Sequence, residues 1–287
     1  MKSIPVGVQA MMLRESFQSI GAYETLKKVC DLGYRSVEVS QIPMTAENVS
    51  EMQRAQKDFS IRFDALSTNV LPTGIPGQET LHTHFDKIVS DCKALNCSFL
   101  RIGMLPFDCM GSVDKVIEFS KAANNAAEKL AQHGIKLYYH NHHIEFRKFD
   151  GVTMLDIIRQ NAPLLGFELD VHWVHRGGYD PVKIIREYAG RVELIHLKDY
   201  RIGALSESAF AALSKGDFGT FMNEFKNVVQ FAEVGEGSLD MGAIIEAALA
   251  SGAKYFFIEQ DELYGRDVFD CLRTSRDHLR KLGYEIA

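Results

Sequence analysis

Eight short runs rich in Val, Ile, Leu, Phe and Tyr recur along the chain, each followed by a longer segment with helical spacing. They lie at residues 5–9, 36–40, 61–66, 99–102, 135–140, 165–169, 192–197 and 255–259. Runs of this length and apolarity suit strands buried on both faces. The stretches between them, such as 23–32 and 113–133, are amphipathic. Glycine stops several of these just before the next strand, at Gly33, Gly134 and Gly252. Eight such units in 287 residues predict an α/β chain closed into a (β/α)₈ TIM barrel, a single domain over 1–287. The alternative is an open, doubly wound sheet, which usually carries a glycine-rich loop after its first strand. Here that place holds Ala10-Met11-Met12-Leu13-Arg14, and no GxGxxG or GxxxxGK[ST] occurs. About 30 residues, roughly 199–231, follow the seventh strand and contain Gly203, Gly216, Gly219 and several aromatics. A long loop at the C-terminal face of a barrel is a candidate lid.

Charge narrows the partners. With 32 Lys and Arg against 38 Asp and Glu, the net charge is −6, which repels a phosphate backbone, and no basic run offsets it. No nucleic-acid partner is expected. No apolar stretch approaches the ~18 residues that span a bilayer, and Lys2 is not followed by a signal-peptide core. Cys30, Cys92, Cys97, Cys109 and Cys271 make an odd set without a CxxC pair, which reads as reduced, buried thiols. The expectation is a cytoplasmic protein without a membrane partner.

In a barrel the reactive side chains gather at the C-terminal strand ends. Strand five ends in His140-Asn141-His142-His143-Ile144-Glu145, and strand six in Glu168-Leu169-Asp170-Val171-His172-Trp173. Strand seven ends in His196-Leu197-Lys198-Asp199, and strand eight in Glu259-Gln260-Asp261-Glu262. Four consecutive strand ends thus carry imidazoles or carboxylates. The period of two puts Glu168 with Asp170, His196 with Lys198, and His140 with His142 on shared faces. If these faces point into the mouth, Asp170, His196, Glu259 and a group from strand five converge. Such a donor set, without thiolate, suits one divalent ion such as Mn²⁺, Mg²⁺, Co²⁺, Fe²⁺ or Zn²⁺.

Five segments carry a resemblance: YYHNHHIEF (138–146), FELDVHWVHRGGYDP (167–181), ELIHLKD (193–199), EVGEGSLD (233–240) and FFIEQDE (256–262). In this order they resemble the sugar phosphate isomerase/epimerase family of the xylose isomerase-like barrel superfamily, which includes inosose dehydratase and ketose 3-epimerases. The resemblance implies one metal held by a Glu from strand five, an Asp from strand six, a His from strand seven and a Glu from strand eight. Asp170, His196 and Glu259 match the last three. Strand five departs from the family's Glu-Asn-His, reading His140-Asn141-His142. Glu145 is assigned as the ligand, because a second carboxylate better neutralises the ion, with His140 as the alternative. Where the family often has a substrate-binding His three residues after the strand-six Asp, this chain has Trp173; His172 or His175 would then take that contact.

The chemistry implied is abstraction and return of a proton beside a carbonyl. Return to the other face gives epimerisation, return at the next carbon isomerisation, and loss of a β-leaving group elimination. His142 is the candidate base, Glu145 and Glu259 act with it, and Lys198 would polarise the carbonyl or bind a hydroxyl. Candidate substrate contacts are His140, His172, Trp173, which would stack on a sugar face or close the barrel top, and Glu236. Glu38 either binds substrate hydroxyls or pairs with Arg101 across the barrel. The expected substrate is an unphosphorylated keto sugar or polyol ketone, since no glycine-rich phosphate loop follows strands seven and eight. A lyase acting on a keto-inositol or 3-keto-glycoside is the runner-up. A DNA-repair endonuclease on this barrel needs three metals and a basic groove, and a non-catalytic sugar-binding barrel has no reason to keep the ligand set. The resemblance also implies homo-oligomerisation, which nothing in the composition demonstrates.

Overall fold

The structure is a computed structural model that describes residues 2–73 and 77–286. Eight strands close a barrel: β1 (Val6–Gln9), β2 (Ser36–Val39), β3 (Arg62–Thr68), β4 (Phe99–Ile102), β5 (Lys136–His140), β6 (Gly166–Asp170), β7 (Val192–Leu197) and β8 (Tyr255–Ile258). They follow chain order around the barrel, and every neighbouring pair is parallel. Each coincides with one of the eight apolar runs. The expected TIM barrel is the fold.

Period-two alternation divides each strand between two environments. Val37 and Val39 belong to the large core under the helices, whereas Glu38 between them faces the barrel interior, where it meets Arg101 and His196. The helices supply the other half of that core. Val113–Ala131 buries Val116, Phe119, Ala123, Ala127 and Leu130, an i, i+3, i+4 stripe. Met241–Ser251 is capped by the Asp240 carboxylate at its start and ends on Gly252, whose φ of 100° only glycine adopts freely.

Inside, the barrel floor is apolar. Ala65, Tyr138, Leu194 and Phe257 pack together, with Phe99 and Tyr255 against them. Gly166 makes room for this layer: a Cβ there would lie 2.4 Å from the Tyr138 ring. The charged side chains stack above the floor, toward the C-terminal strand ends.

Residues 199–231 form structure rather than a bare loop. Asp199–Ile202 pairs antiparallel with Val229–Ala232, and this hairpin carries the helices Glu207–Ser214 and Phe218–Lys226, capped by Ser206 and Asp217. Phe210, Phe218 and Phe225 stand exposed on it. At the opposite end, Lys2–Ile4 pairs with Tyr284–Ile286. All five cysteines are free and buried. Among the described residues no helix is long and apolar enough to cross a membrane.

Candidate metal centre

Asp170 shows how the sequence builds this site. It ends β6 and caps the short helix Val171–Arg176, its Oδ1 accepting the Trp173 amide at 2.9 Å. Its own amide donates to Asn141 Oδ1 at 3.0 Å. With the backbone and one oxygen held, Oδ2 is left buried without a hydrogen-bond partner. Ligand atoms from His140, His196 and Glu259 gather with it, all four within 4.8 Å of one another.

Each of the other three comes from a different strand end. His196 lies wholly inside the barrel, its Nδ1 2.7 Å from Glu259 Oε2 and 3.9 Å from Asp170 Oδ2. Glu259 is oriented through its other oxygen, which accepts from Gln9 Nε2 at 2.7 Å. His140 Nδ1 is a second buried atom without a partner. Orphaned buried polar atoms cost about 1–3 kcal/mol each unless something satisfies them. Two imidazoles and two carboxylates at this spacing fit a divalent ion of borderline hardness.

Burial and neighbouring charge set the protonation of these groups. Burial pushes Asp170 up to about 7, against the pull of Lys198. Glu259 goes the other way: the Lys198 ammonium and His196 outweigh burial and hold it well below the usual carboxylate range. Burial would lower His196, but Glu168, Glu38 and Glu259 keep it well above an ordinary imidazole. His140 is driven well below by burial and by the cations His196 and Arg101. A metal here would displace one of the two ring protons of a charged His196, as ligand imidazoles must be neutral.

Lys198 is almost fully buried. Its Nζ donates to Asp261 Oδ1 at 2.6 Å and to Glu259 Oε2 at 3.2 Å, with Asp170 Oδ2 at 3.7 Å. The Trp173 ring lies 4.9 Å from it and Phe231, on the returning strand of the insert, 5.2 Å. Below the four ligand candidates is a second group, Glu38, Glu168 and His196. Arg101 spans it, with Nε 2.8 Å from Glu38 Oε1 and 3.3 Å from Glu168 Oε2. Burial would raise Glu38, but Arg101 and His196 bring it down to about 2. Glu168 is pushed up to about 8 by burial and by Glu38.

Two of the upper group, His140 and Glu259, line a cleft of about 620 Å³ together with His142, Lys198 and Asp261. The rest of its lining includes the neutral Gln9, Ser40, Gln41, Ser67, Thr68, Asn69 and Gln78, and the charged Glu79 and Arg101.

A family model described as xylose isomerase-like TIM barrel matches residues 26–282. The chain belongs to the xylose isomerase-like TIM barrel family. Solved structures share its fold at low identity. A sugar phosphate isomerase/epimerase from Parabacteroides distasonis is 20% identical over 97% of this chain and 98% of that one, with a TM-score of 0.75. A probable 3-DHS dehydratase, AsbF, from Bacillus anthracis is 14% identical over 98% and 99%, with a TM-score of 0.64. The IolI protein, solved with a bound zinc atom, is 13% identical over 97% and 98%, with a TM-score of 0.69. No curated protein matches the chain.

Within this xylose isomerase-like barrel the residues singled out in the sequence separate. Asp170, His196 and Glu259 come together, and the strand-five member of their group is His140. Glu145 does not join them. Its Oε1 accepts from the Tyr139 hydroxyl at 2.7 Å and its Oε2 from the His142 amide at 2.8 Å, so its carboxylate closes the turn after β5. His142 lines the cleft, and burial together with Lys198 lowers it to about 3. Glu38 is buried against Arg101, below the cleft rather than in its wall. Glu236 is exposed and lines no part of the cleft. The glycines flanking it serve packing: Asp199 accepts from the Gly235, Ser238 and Leu239 amides, and a Cβ on Gly237 would lie 2.2 Å from Asp199 Oδ1.

His172 is buried with its ring 4.6 Å from Trp173 and 5.0 Å from Phe231. Trp173 also lies 5.6 Å from His142, so the four rings and Lys198 form one aromatic shoulder. Gln9 escaped the sequence reading. A polar residue closing the run Val6-Gly7-Val8 was the available signal. Asp261 stood in the strand-eight segment, but its pairing with Lys198 is a tertiary fact.

Proposed function

We propose that this chain is a divalent-metal-dependent isomerase or epimerase acting on an unphosphorylated keto sugar or polyol ketone through an enediolate. One observation carries the reading: His140, Asp170, His196 and Glu259 gather four ligand atoms, and two of them, His140 and Glu259, line a polar cleft. An ion held by these four would supply Lewis acidity to a carbonyl and its neighbouring hydroxyl, making the C–H between them acidic. His142, in the cleft wall with a free buried Nδ1, would take that proton and return it. The turn held by Glu145 fixes where His142 stands. Lys198 would stabilise negative charge growing on the substrate oxygen, anchored by Asp261 and Glu259. Trp173, half-buried beside His142, would offer its ring to the apolar side of a sugar, and His172, buried against it, would back that ring rather than touch substrate. The neutral amides and hydroxyls of Gln9, Ser40, Gln41, Ser67, Thr68 and Asn69 in the lining suit a polyol. Both cations near the cleft, Arg101 and Lys198, are engaged by carboxylates, which supports a substrate without phosphate.

Elimination from the same enediolate is the second reading. It needs no further acid: His142, having taken the C–H proton at the cleft wall, would pass that proton to a leaving group on the neighbouring carbon. The structural neighbour named a probable 3-DHS dehydratase supports this reading. The endonuclease reading loses ground, since Arg101 already fills the second carboxylate group.

The test is solvent exchange. The protein with Mn²⁺ in D₂O is offered ketoses, keto-inositols and 3-keto-glycosides, read by NMR and mass spectrometry. Deuterium beside the carbonyl with otherwise unchanged mass is the expected result. Loss of water or an aglycone moves the chain to the lyases, and exchange that persists in Glu259→Gln with EDTA refutes the metal-centred proposal.

A further inference from the structure

The two carboxylates beneath the ligand group need an explanation, because a buried Glu pair is costly without a purpose. One reading is a second metal site, as Glu38, Glu168 and His196 bring three donor atoms together. Arg101 opposes it. Its guanidinium reaches Glu38 at 2.8 Å, Glu168 at 3.3 Å and, through Nη2, Ser40 Oγ at 3.0 Å. A guanidinium keeps its charge in proteins, so the position a cation would take is already held by one.

The geometry of His196 offers another purpose. Its Nδ1 faces Glu259 and Asp170, on the side of the four-ligand group, while its Nε2 points down. There it meets both oxygens of Glu38 at 3.2 Å and Glu168 Oε2 at 3.2 Å. For Nδ1 to give its lone pair to a metal, the imidazole proton must sit on Nε2. An anionic acceptor at Nε2 selects that tautomer, fixes the ring and makes Nδ1 a stronger donor. Of the two carboxylates, Glu38 is the one with both oxygens on Nε2 and a hydrogen bond from Arg101. Glu168 Oε2 is divided among His196, Arg101 and, at 3.6 Å, His140 Nδ1.

We infer that Glu38, oriented across the barrel by Arg101, is the positioning residue that holds His196 as a metal ligand, and that the lower carboxylate group binds no ion of its own. The inference rests on the metal reading above. It gives Glu38 no contact with substrate.

Cobalt titration of the full chain tests it, with affinity from calorimetry and ligand geometry from the visible Co²⁺ bands. The wild type is expected to bind one Co²⁺ per chain. Glu38→Gln, with the fold checked by circular dichroism, is expected to bind one Co²⁺ about 10–100-fold more weakly, the usual effect of losing such a supporting group. Glu38→Asp keeps the charge, draws it back from His196, and should fall between the two. If Glu38→Gln does not fold, Glu38→Asp is read alone, with weakened binding expected. Unchanged affinity in a folded variant overturns the role of Glu38 while leaving the metal site standing. Two Co²⁺ per wild-type chain overturns the assignment of the lower group. No Co²⁺ on the wild type fails the metal reading itself. A residue that merely filled space would lower stability without moving the Co²⁺ affinity.

Discussion

The backbone amide of His142 donates to Glu145 Oε2 at 2.8 Å, so the carboxylate three residues on sets where the candidate base stands. With Tyr139 donating to the other oxygen at 2.7 Å, Glu145 has both carboxylate oxygens engaged inside its own turn. Ligand and positioning roles are therefore separable by mutation. Glu145→Gln should still bind one metal per chain, lose about 1–3 kcal/mol of stability, and lose up to about 100-fold in turnover as His142 drifts. His140→Ala should lose more metal affinity than the ~10–100-fold that a supporting residue costs. Metal content by mass spectrometry after gel filtration separates the two; a Glu145→Gln protein that elutes metal-free would return Glu145 to the ligand set.

Metal loading should also register as stability. A ligand that binds only the folded chain adds about 2.7 kcal/mol at 100 times its Kd. Adding Mn²⁺ to EDTA-treated protein is expected to raise the melting temperature, and Asp170→Asn should abolish the rise. Equal shifts in both proteins would place the ion elsewhere.

Lys198→Met removes the ammonium shared by Asp261, Glu259 and Asp170. Without metal, the variant should be about 3–5 kcal/mol less stable in urea unfolding, the cost of leaving buried charge uncompensated. Mn²⁺ should recover part of that loss, since a divalent ion neutralises the same carboxylates. A deficit that is identical with and without Mn²⁺ would separate Lys198 from the metal group.

Glu193, at the other end of the barrel, supplies a pH dependence free of metal. Burial alone would raise its pKa, but Tyr138, Lys136 and Lys254 outweigh it and hold it below its ordinary value of 4.5. A depressed carboxylate stabilises the fold above its unfolded pKa and loses that contribution as pH falls through the folded one. Glu193→Gln should therefore be about 1–2 kcal/mol less stable than wild type at pH 7. The gap should close below about pH 4.5. Parallel stability curves from pH 7 to pH 3 would contradict this.

The eight strands were legible because a strand buried on both faces writes itself as a short apolar run, and the glycine stops mark where each helix ends. The strand ends were legible for a related reason. Polar residues at the edge of such a run can only face water or one another, so His196, Asp170 and Glu259 stood out together. Glu145 was misleading because charge neutralisation favours a carboxylate as ligand, while the course of the chain after β5 turns it back onto Tyr139.

Sequence alone determined the barrel, its order and which strand ends carry imidazoles and carboxylates, since all of these follow from local periodicity. Only the tertiary structure decided that His140 rather than Glu145 meets the other three, that Glu38 turns down to Arg101, and that residues 199–231 form a hairpin bringing Phe231 over Lys198. Those choices depend on atoms from strands 60 to 250 residues apart reaching hydrogen-bond distance. Barrel closure sets such distances, and no spacing along the chain encodes them.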